Sequence, residues 1–212
     1  MDIFTPEILV LLTSAAGIAF VHTLMGPDHY LPFVSMAVAR QWSWRKILTI
    51  TLLCGSGHLL GSVLLGLFGI WAQSGLTGLV VIEGWRGDLA AWLLFSFGLV
   101  YLAWGIRHAG QAHVHRHSPT HPQWIIFIIF VLGPCEPLIP LLMYPAAKAS
   151  VLGVLAVTAV FGLVTVMTML AAVALSYYGL RKLHFPRLER FGHAMAGATL
   201  SACGASILFL GL

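Results

Sequence analysis

Continuous apolar runs, interrupted only by short polar punctuation, set the pattern of this chain. They lie at about 7–25 (continuing past a break to about 39), 47–70, 88–106, 124–146, 151–178 and 193–212. Each is near the ~20 residues that an α-helix needs to cross a bilayer core. No run alternates at period two, so lipid-facing strands are excluded and six membrane-spanning helices are predicted. Two of the runs are broken inside by Gly-Pro: Gly26-Pro27-Asp28-His29-Tyr30-Leu31 and Gly133-Pro134-Cys135-Glu136-Pro137-Leu138. Laid over each other at an offset of 107 positions they match at Gly-Pro and at Leu, with Asp28 opposite Cys135 and His29 opposite Glu136. Half the chain therefore repeats the other half, and a helix break with ionisable residues in each half predicts a transporter site at the repeat interface.

Three helices per half is an odd number, so the second half must enter the membrane upside down relative to the first. The expected fold is an all-α integral membrane protein of six helices in two inverted three-helix repeats, with the first helix of each repeat broken. Residues 1–212 form one transmembrane domain: repeat 1 at 1–106, a loop at 107–122 and repeat 2 at 123–212. At the same offset Gly55 falls on Gly162 and Gly98 on Ala205, small residues where packed helices can approach closely.

Composition agrees with the lipid assignment. Apolar residues make up 59% and charged residues 8% of the chain, and the mean hydropathy is +0.92, a surface no water-soluble domain of this length carries. Only Asp2 and Glu7 precede the core of the first run, so it lacks the positive flank of a signal peptide and is expected to remain in the mature protein. Cys54, Cys135 and Cys203 lie in apolar segments, which disfavours a disulfide framework. Arg40, Arg45, Lys46, Arg107, Arg116, Arg181, Lys182, Arg187 and Arg190 fall on one side of the predicted bundle, and Arg86 and Lys148 on the other. The richer side is predicted to be cytoplasmic, as in a bacterial inner membrane, with both termini outside. Topology thus accounts for the net charge of +4, and nothing in it points to nucleic acid.

Chemistry concentrates at the breaks, which are expected to carry the chain's buried acids. His22 and His29 are two helical turns apart and would share a face. Pro27 between them removes an amide and crowds the preceding turn, so an unwound pocket holding Asp28 and His29 is expected there. Gly55-Ser56-Gly57-His58 sets another imidazole beside two glycines on the second helix. At ~2.5–3.5 kcal/mol for a buried acid near a helix centre, Asp28 and Glu136 together represent ~5–7 kcal/mol that packing alone does not explain. Simpler roles exist for each: a helix cap for Asp28, an interhelical hydrogen bond for His58, a small hydrophobe for Cys135. The candidate metal set is His22, Asp28, His29, His58, Cys135 and Glu136. His108, His113, His115, His117 and His121, five of the ten histidines, lie in the central loop and form a candidate metal-capture segment, unless that loop is merely polar. Imidazole with carboxylate and a thiol suits nickel, cobalt, zinc or copper rather than magnesium or calcium.

The run His22-Thr23-Leu24-Met25-Gly26-Pro27-Asp28-His29, followed by Gly57-His58, resembles the signature of nickel/cobalt permeases. The likeness is to the short six-helix branch of urease-accessory-type and hydrogenase-accessory-type permeases, with a His, five residues and then Asp-His. The longer eight-helix nickel/cobalt transporters have four residues in that gap. The resemblance covers the first two helices and implies that His22, Asp28, His29 and His58 take part in recognising a transported ion, nickel or cobalt first. Gly133-Pro134-Cys135-Glu136-Pro137 is instead similar to the proline-bracketed cysteine motif of thiol-electron carriers related to cytochrome c biogenesis proteins, in the same broad superfamily. The second half thus departs from the permease pattern and leaves the metal open among nickel, cobalt, zinc and copper.

The function expected is transport of a divalent transition metal, without enzymatic activity and without a permanently bound cofactor. Two alternatives stand beside it. A thiol-electron carrier needs two facing cysteines, and the mate of Cys135 is Asp28. An exporter of a small anion such as sulfite needs a cation in the membrane, and none of the predicted helix centres has one. Partners other than lipid and the ion, including any oligomer or metal-delivery protein, are left open.

Overall fold

The computed structural model describes residues 6–71, 76–109, 122–133, 135, 137–148, 150–182 and 191–211. Among them every regular element is helical: α1 (Pro6–Met25), α2 (Leu31–Ala39), α3 (Trp44–Trp71), α4 (Leu76–His108), α5 (Pro122–Leu132), α6 (Leu138–Ala147), α7 (Val151–Lys182) and α8 (Gly192–Leu210), with a 3-10 turn at Pro27–His29. Five of these, α1, α3, α4, α7 and α8, are long and apolar enough to cross a membrane. Their outer faces carry large exposed side chains such as Leu64, Phe68, Val100, Leu163 and Leu175. Such faces are stable only against lipid, where each backbone amide must find its partner within the helix. The chain is thus a multi-pass helical membrane protein.

Both predicted breaks are present. α1 stops at Met25, Gly26 is extended (φ −84°, ψ 95°), and Pro27 opens the 3-10 turn before α2. The run 124–146 is α5 and α6, separated at Gly133, Cys135 and Pro137. The 107-residue offset also relates helix boundaries: α1 ends at Met25 and α5 at Leu132, α2 begins at Leu31 and α6 at Leu138, α3 begins at Trp44 and α7 at Val151. Packing pairs up in the same way. α1 lies on α7 while α5 lies on α3, and α4 and α8 pack along each other in the most extensive contact of the bundle.

Small residues set the crossings. Gly55 faces Val166 and Met169 across α3 and α7, and Gly162 faces Leu59. Between α4 and α8 the backbones meet at Gly98 and Gly105 on one side and Gly197 and Gly204 on the other, leaving no space for a Cβ. The close approach on α8 thus falls at Gly204 rather than at Ala205. Two apolar clusters fill the interior, one around Phe33, Ile47, Phe130, Met169 and Leu200, the other around Ala15, Ala19, Cys135, Leu138 and Phe161.

One boundary differs from expectation by a dozen residues. α4 begins at Leu76 rather than near 88, and so takes in Glu83 and Arg86. An apolar window ends at charges, but these two sit one helical turn apart and form an ion pair, which lets the helix continue through them.

Candidate metal centre

Three imidazoles converge where the first break meets α3. His22 lies in the last turn of α1, His29 closes the 3-10 turn, and His58 is midway along α3. The ring centroids of His22 and His29 are 4.9 Å apart, and those of His29 and His58 are 5.4 Å apart, both pairs meeting edge to face. One ligand nitrogen from each residue lies within 4.8 Å of the other two. The break makes this possible: it ends α1 just after His22 and turns the chain so that His29 comes back over it.

The other edge of two of the rings is held. His29 Nδ1 is 3.2 Å from the Gly26 carbonyl and 3.2 Å from Asp28 Oδ1, and His58 Nδ1 is 3.2 Å from the Phe130 carbonyl. A carbonyl oxygen only accepts, so these Nδ1 atoms donate and the lone pair is left on Nε2. Nε2 of His22, His29 and His58 are all buried, and no protein group among the described residues reaches them. An unsatisfied buried polar atom costs ~1–3 kcal/mol, so three in one place amount to ~3–9 kcal/mol unless a shared ligand meets them. Outer partners that fix the tautomer and leave Nε2 bare are how proteins prepare imidazole for a metal. With metal–nitrogen bonds of about 2.0–2.1 Å two donors are no more than about 4.2 Å apart, so the rings need to close only modestly around an ion.

The remaining predicted residues divide. Asp28, partly exposed, stands outside the group of three; its carboxylate holds the far edge of His29 and so orients a donor. Cys135 is buried but belongs to the second apolar cluster, and it too is outside the group. His108 is exposed at the end of α4, its Nδ1 donating to the Trp104 carbonyl at 2.8 Å. Pro134 and Glu136 of the second break, and His113, His115, His117 and His121 of the loop, lie outside the described residues. Gly133 and Pro137 flank the second break as expected.

A largely buried ion pair is formed by two residues outside both sets of predicted site residues. Asp28 and Glu136 were expected to be the buried acids, yet Glu83 on α4 is 1% exposed and paired with Arg86. Arg86 likewise lies within the α4 span, toward its N-terminal end rather than at its centre. A Glu and an Arg at i, i+3 beside an apolar run was the sequence signal for a self-neutralising pair that a helix can carry into the membrane.

Gly26 is part of the geometry. A Cβ there would sit 2.5 Å from His29 Nδ1 and 2.9 Å from Asp28 Oδ1. Gly26→Ala is expected to displace the His29 ring, and any metal ion the three imidazoles hold would then bind about 10-fold or more weakly, the effect typical of disturbing an outer-shell partner. Isothermal titration of the purified variant against wild type checks this.

The fold and site thus define a multi-pass helical membrane protein with a cluster of three histidines at a helix break, His29 and His58 buried and His22 half-buried. Comparison with family models, with characterised proteins and with solved structures gives no match.

Proposed function

We propose that the protein is a secondary transporter of a divalent transition-metal ion, nickel or cobalt first and zinc or copper next. The single observation that carries this reading is the convergence of three buried Nε2 atoms that have no partner among the described residues, two of them with the tautomer fixed from behind. The ion is the cargo rather than a resident cofactor. In this reading α5 and α6 together make a sixth span, and the two halves are inverted repeats. The shared 107-residue offset of helix ends and the exchange-related packing of α1 on α7 and α5 on α3 support it. An axis in the membrane plane then passes near the site, as in transporters that bind at the bilayer midplane.

The alternatives are less well supported. Arg86 supplies the cation an anion exporter needs, but Glu83 and two backbone carbonyls already engage it. A thiol carrier needs a cysteine facing Cys135 from the other break, whereas Cys54 and Cys203 belong to a different apolar cluster from Cys135 and neither lies at a break.

Uptake into proteoliposomes across a panel of Ni²⁺, Co²⁺, Zn²⁺ and Cu²⁺, with His29→Ala as the control, tests the proposal. Saturable movement of at least one of these ions that His29→Ala abolishes is expected; equal rates in both proteins for every ion overturn it. Orientation is tested separately. In the proposed topology the central loop is cytoplasmic, so a His115→Cys variant is expected to react with an impermeant maleimide only from the cytoplasmic face of sided vesicles.

A further inference from the structure

Side chains from α3 and α4 close over the second helix break. Glu83 accepts hydrogen bonds from Ser62 Oγ and from Arg86 Nη1, and the Cys135 amide donates to Glu83 Oε1 at 3.1 Å and to Ser62 Oγ at 3.0 Å. Arg86 Nη2 donates to the Val131 carbonyl at 3.0 Å and to the Gly133 carbonyl at 3.4 Å. These backbone atoms are the ones a helix end leaves without partners, and in lipid they cannot turn to water. Gly61 on α3 provides the slot: a Cβ there would sit 2.7 Å from Arg86 Nη2 and 2.8 Å from the Val131 carbonyl oxygen.

The same helix end also serves the histidine pocket. The Phe130 carbonyl, one residue before Val131, accepts from His58 Nδ1, and Ser62 follows His58 by one turn of α3. The end of α5 is thus gripped from two sides, by α4 through Arg86 and by α3 through His58. Freed carbonyls at a transporter's helix break are where a coupling cation is usually held. Here a guanidinium occupies them. The two breaks therefore divide the work, the first presenting donors and the second supporting them.

We propose that Glu83 and Arg86 are positioning residues for His58: by fixing the end of α5 they set the Phe130 carbonyl that holds the His58 tautomer and aims its Nε2 at His22 and His29. The inference rests on the metal-transport reading of that pocket. Lysine is the informative replacement for Arg86, since a point charge can meet Glu83 but cannot also span two carbonyls as the planar fork does.

The test uses the full-length protein purified in detergent, titrated with Co²⁺ and followed by its visible d–d bands, with imidazole ¹⁵N shifts recorded on the metal-free protein. Wild type is expected to show Co²⁺ bands and a His58 ring protonated at Nδ1. Arg86→Lys is expected to bind Co²⁺ about 10-fold more weakly, with altered bands and a mixed His58 tautomer. Arg86→Lys with bands, tautomer and affinity within twofold of wild type overturns the positioning role, whatever its thermal stability. If Arg86→Lys does not fold, Ser62→Ala replaces it, with about threefold weaker binding and shifted bands expected; unchanged binding and bands overturn the inference. A wild-type protein that gives no Co²⁺ bands overturns the metal reading and this inference with it, whereas normal bands left unchanged by the variants overturn this inference alone.

Discussion

His58→Ala is expected to lower metal uptake more than about 100-fold while the protein still reaches the membrane folded. Loss of an outer-shell partner typically costs 10–100-fold in affinity, and loss of a ligand from a set of three should exceed that. The bland alternative is that His58 only ties α3 to the Phe130 carbonyl, at 3.2 Å. An interhelical hydrogen bond in a membrane averages ~0.6 kcal/mol, about threefold in an equilibrium, so the two readings differ by more than an order of magnitude. His22→Ala and His29→Ala should behave alike. His108→Ala, at an exposed helix end, should leave uptake within about twofold of wild type, since surface changes away from a site usually have small effects. Because neutral imidazole is the ligand, acidification should reduce uptake by wild type as protons compete for the same nitrogens. Initial uptake rates at matched expression check all of these.

Gly197→Leu is expected to prevent assembly of the bundle. A side chain at Gly197 would run into the backbone of Tyr101 and Leu102, and one at Gly98 into that of Ser201. Overpacking against side chains usually costs ~1–3 kcal/mol because they can turn away. Backbone atoms cannot, so α4 and α8 would have to separate along their length. The damage would reach the pocket, since α8 also packs on α2 and on the turn that carries His29. Gly179→Leu is the control, as nothing lies within 4 Å of a Cβ there. Size-exclusion of the detergent-solubilised variants should show an aggregated or absent peak for Gly197→Leu and a wild-type peak for Gly179→Leu.

What the sequence made legible follows from which signals are local. The Gly-Pro pairs at residues 26 and 133 mark the two breaks because proline disrupts a helix wherever it falls inside one. His22, His29 and His58 were identifiable because a polar residue in an apolar run needs a partner, and helical spacing shows which face it shares. The assignment of donors was less direct. Asp28 is expected from the sequence as a ligand beside the histidines, yet a carboxylate adjacent in sequence to His29 meets Nδ1, the far edge of that ring from the point on which Nε2 converges. Cys135 aligns with Asp28 in the repeat, but it belongs to the apolar cluster that includes Ala15 and Ala19 and not to the histidine group. Glu83 and Arg86 escaped because a hydropathy window treats every charge as an end of a span. Their mutual neutralisation, and the carbonyls at and just beyond the end of α5 that Arg86 meets 45 residues and more away in sequence, appear only in three dimensions.

The central claim is that His22, His29 and His58 together hold the transported ion. X-ray absorption on the purified protein loaded with one equivalent of Ni²⁺ or Co²⁺ addresses it directly, with the His22→Ala, His29→Ala, His58→Ala triple variant alongside. The predicted result is one retained ion per wild-type chain, a first shell with the multiple scattering of imidazole, and no retained ion in the triple variant. Equal retention by both proteins, or a wild-type shell of sulfur or of oxygen without imidazole, would contradict the account.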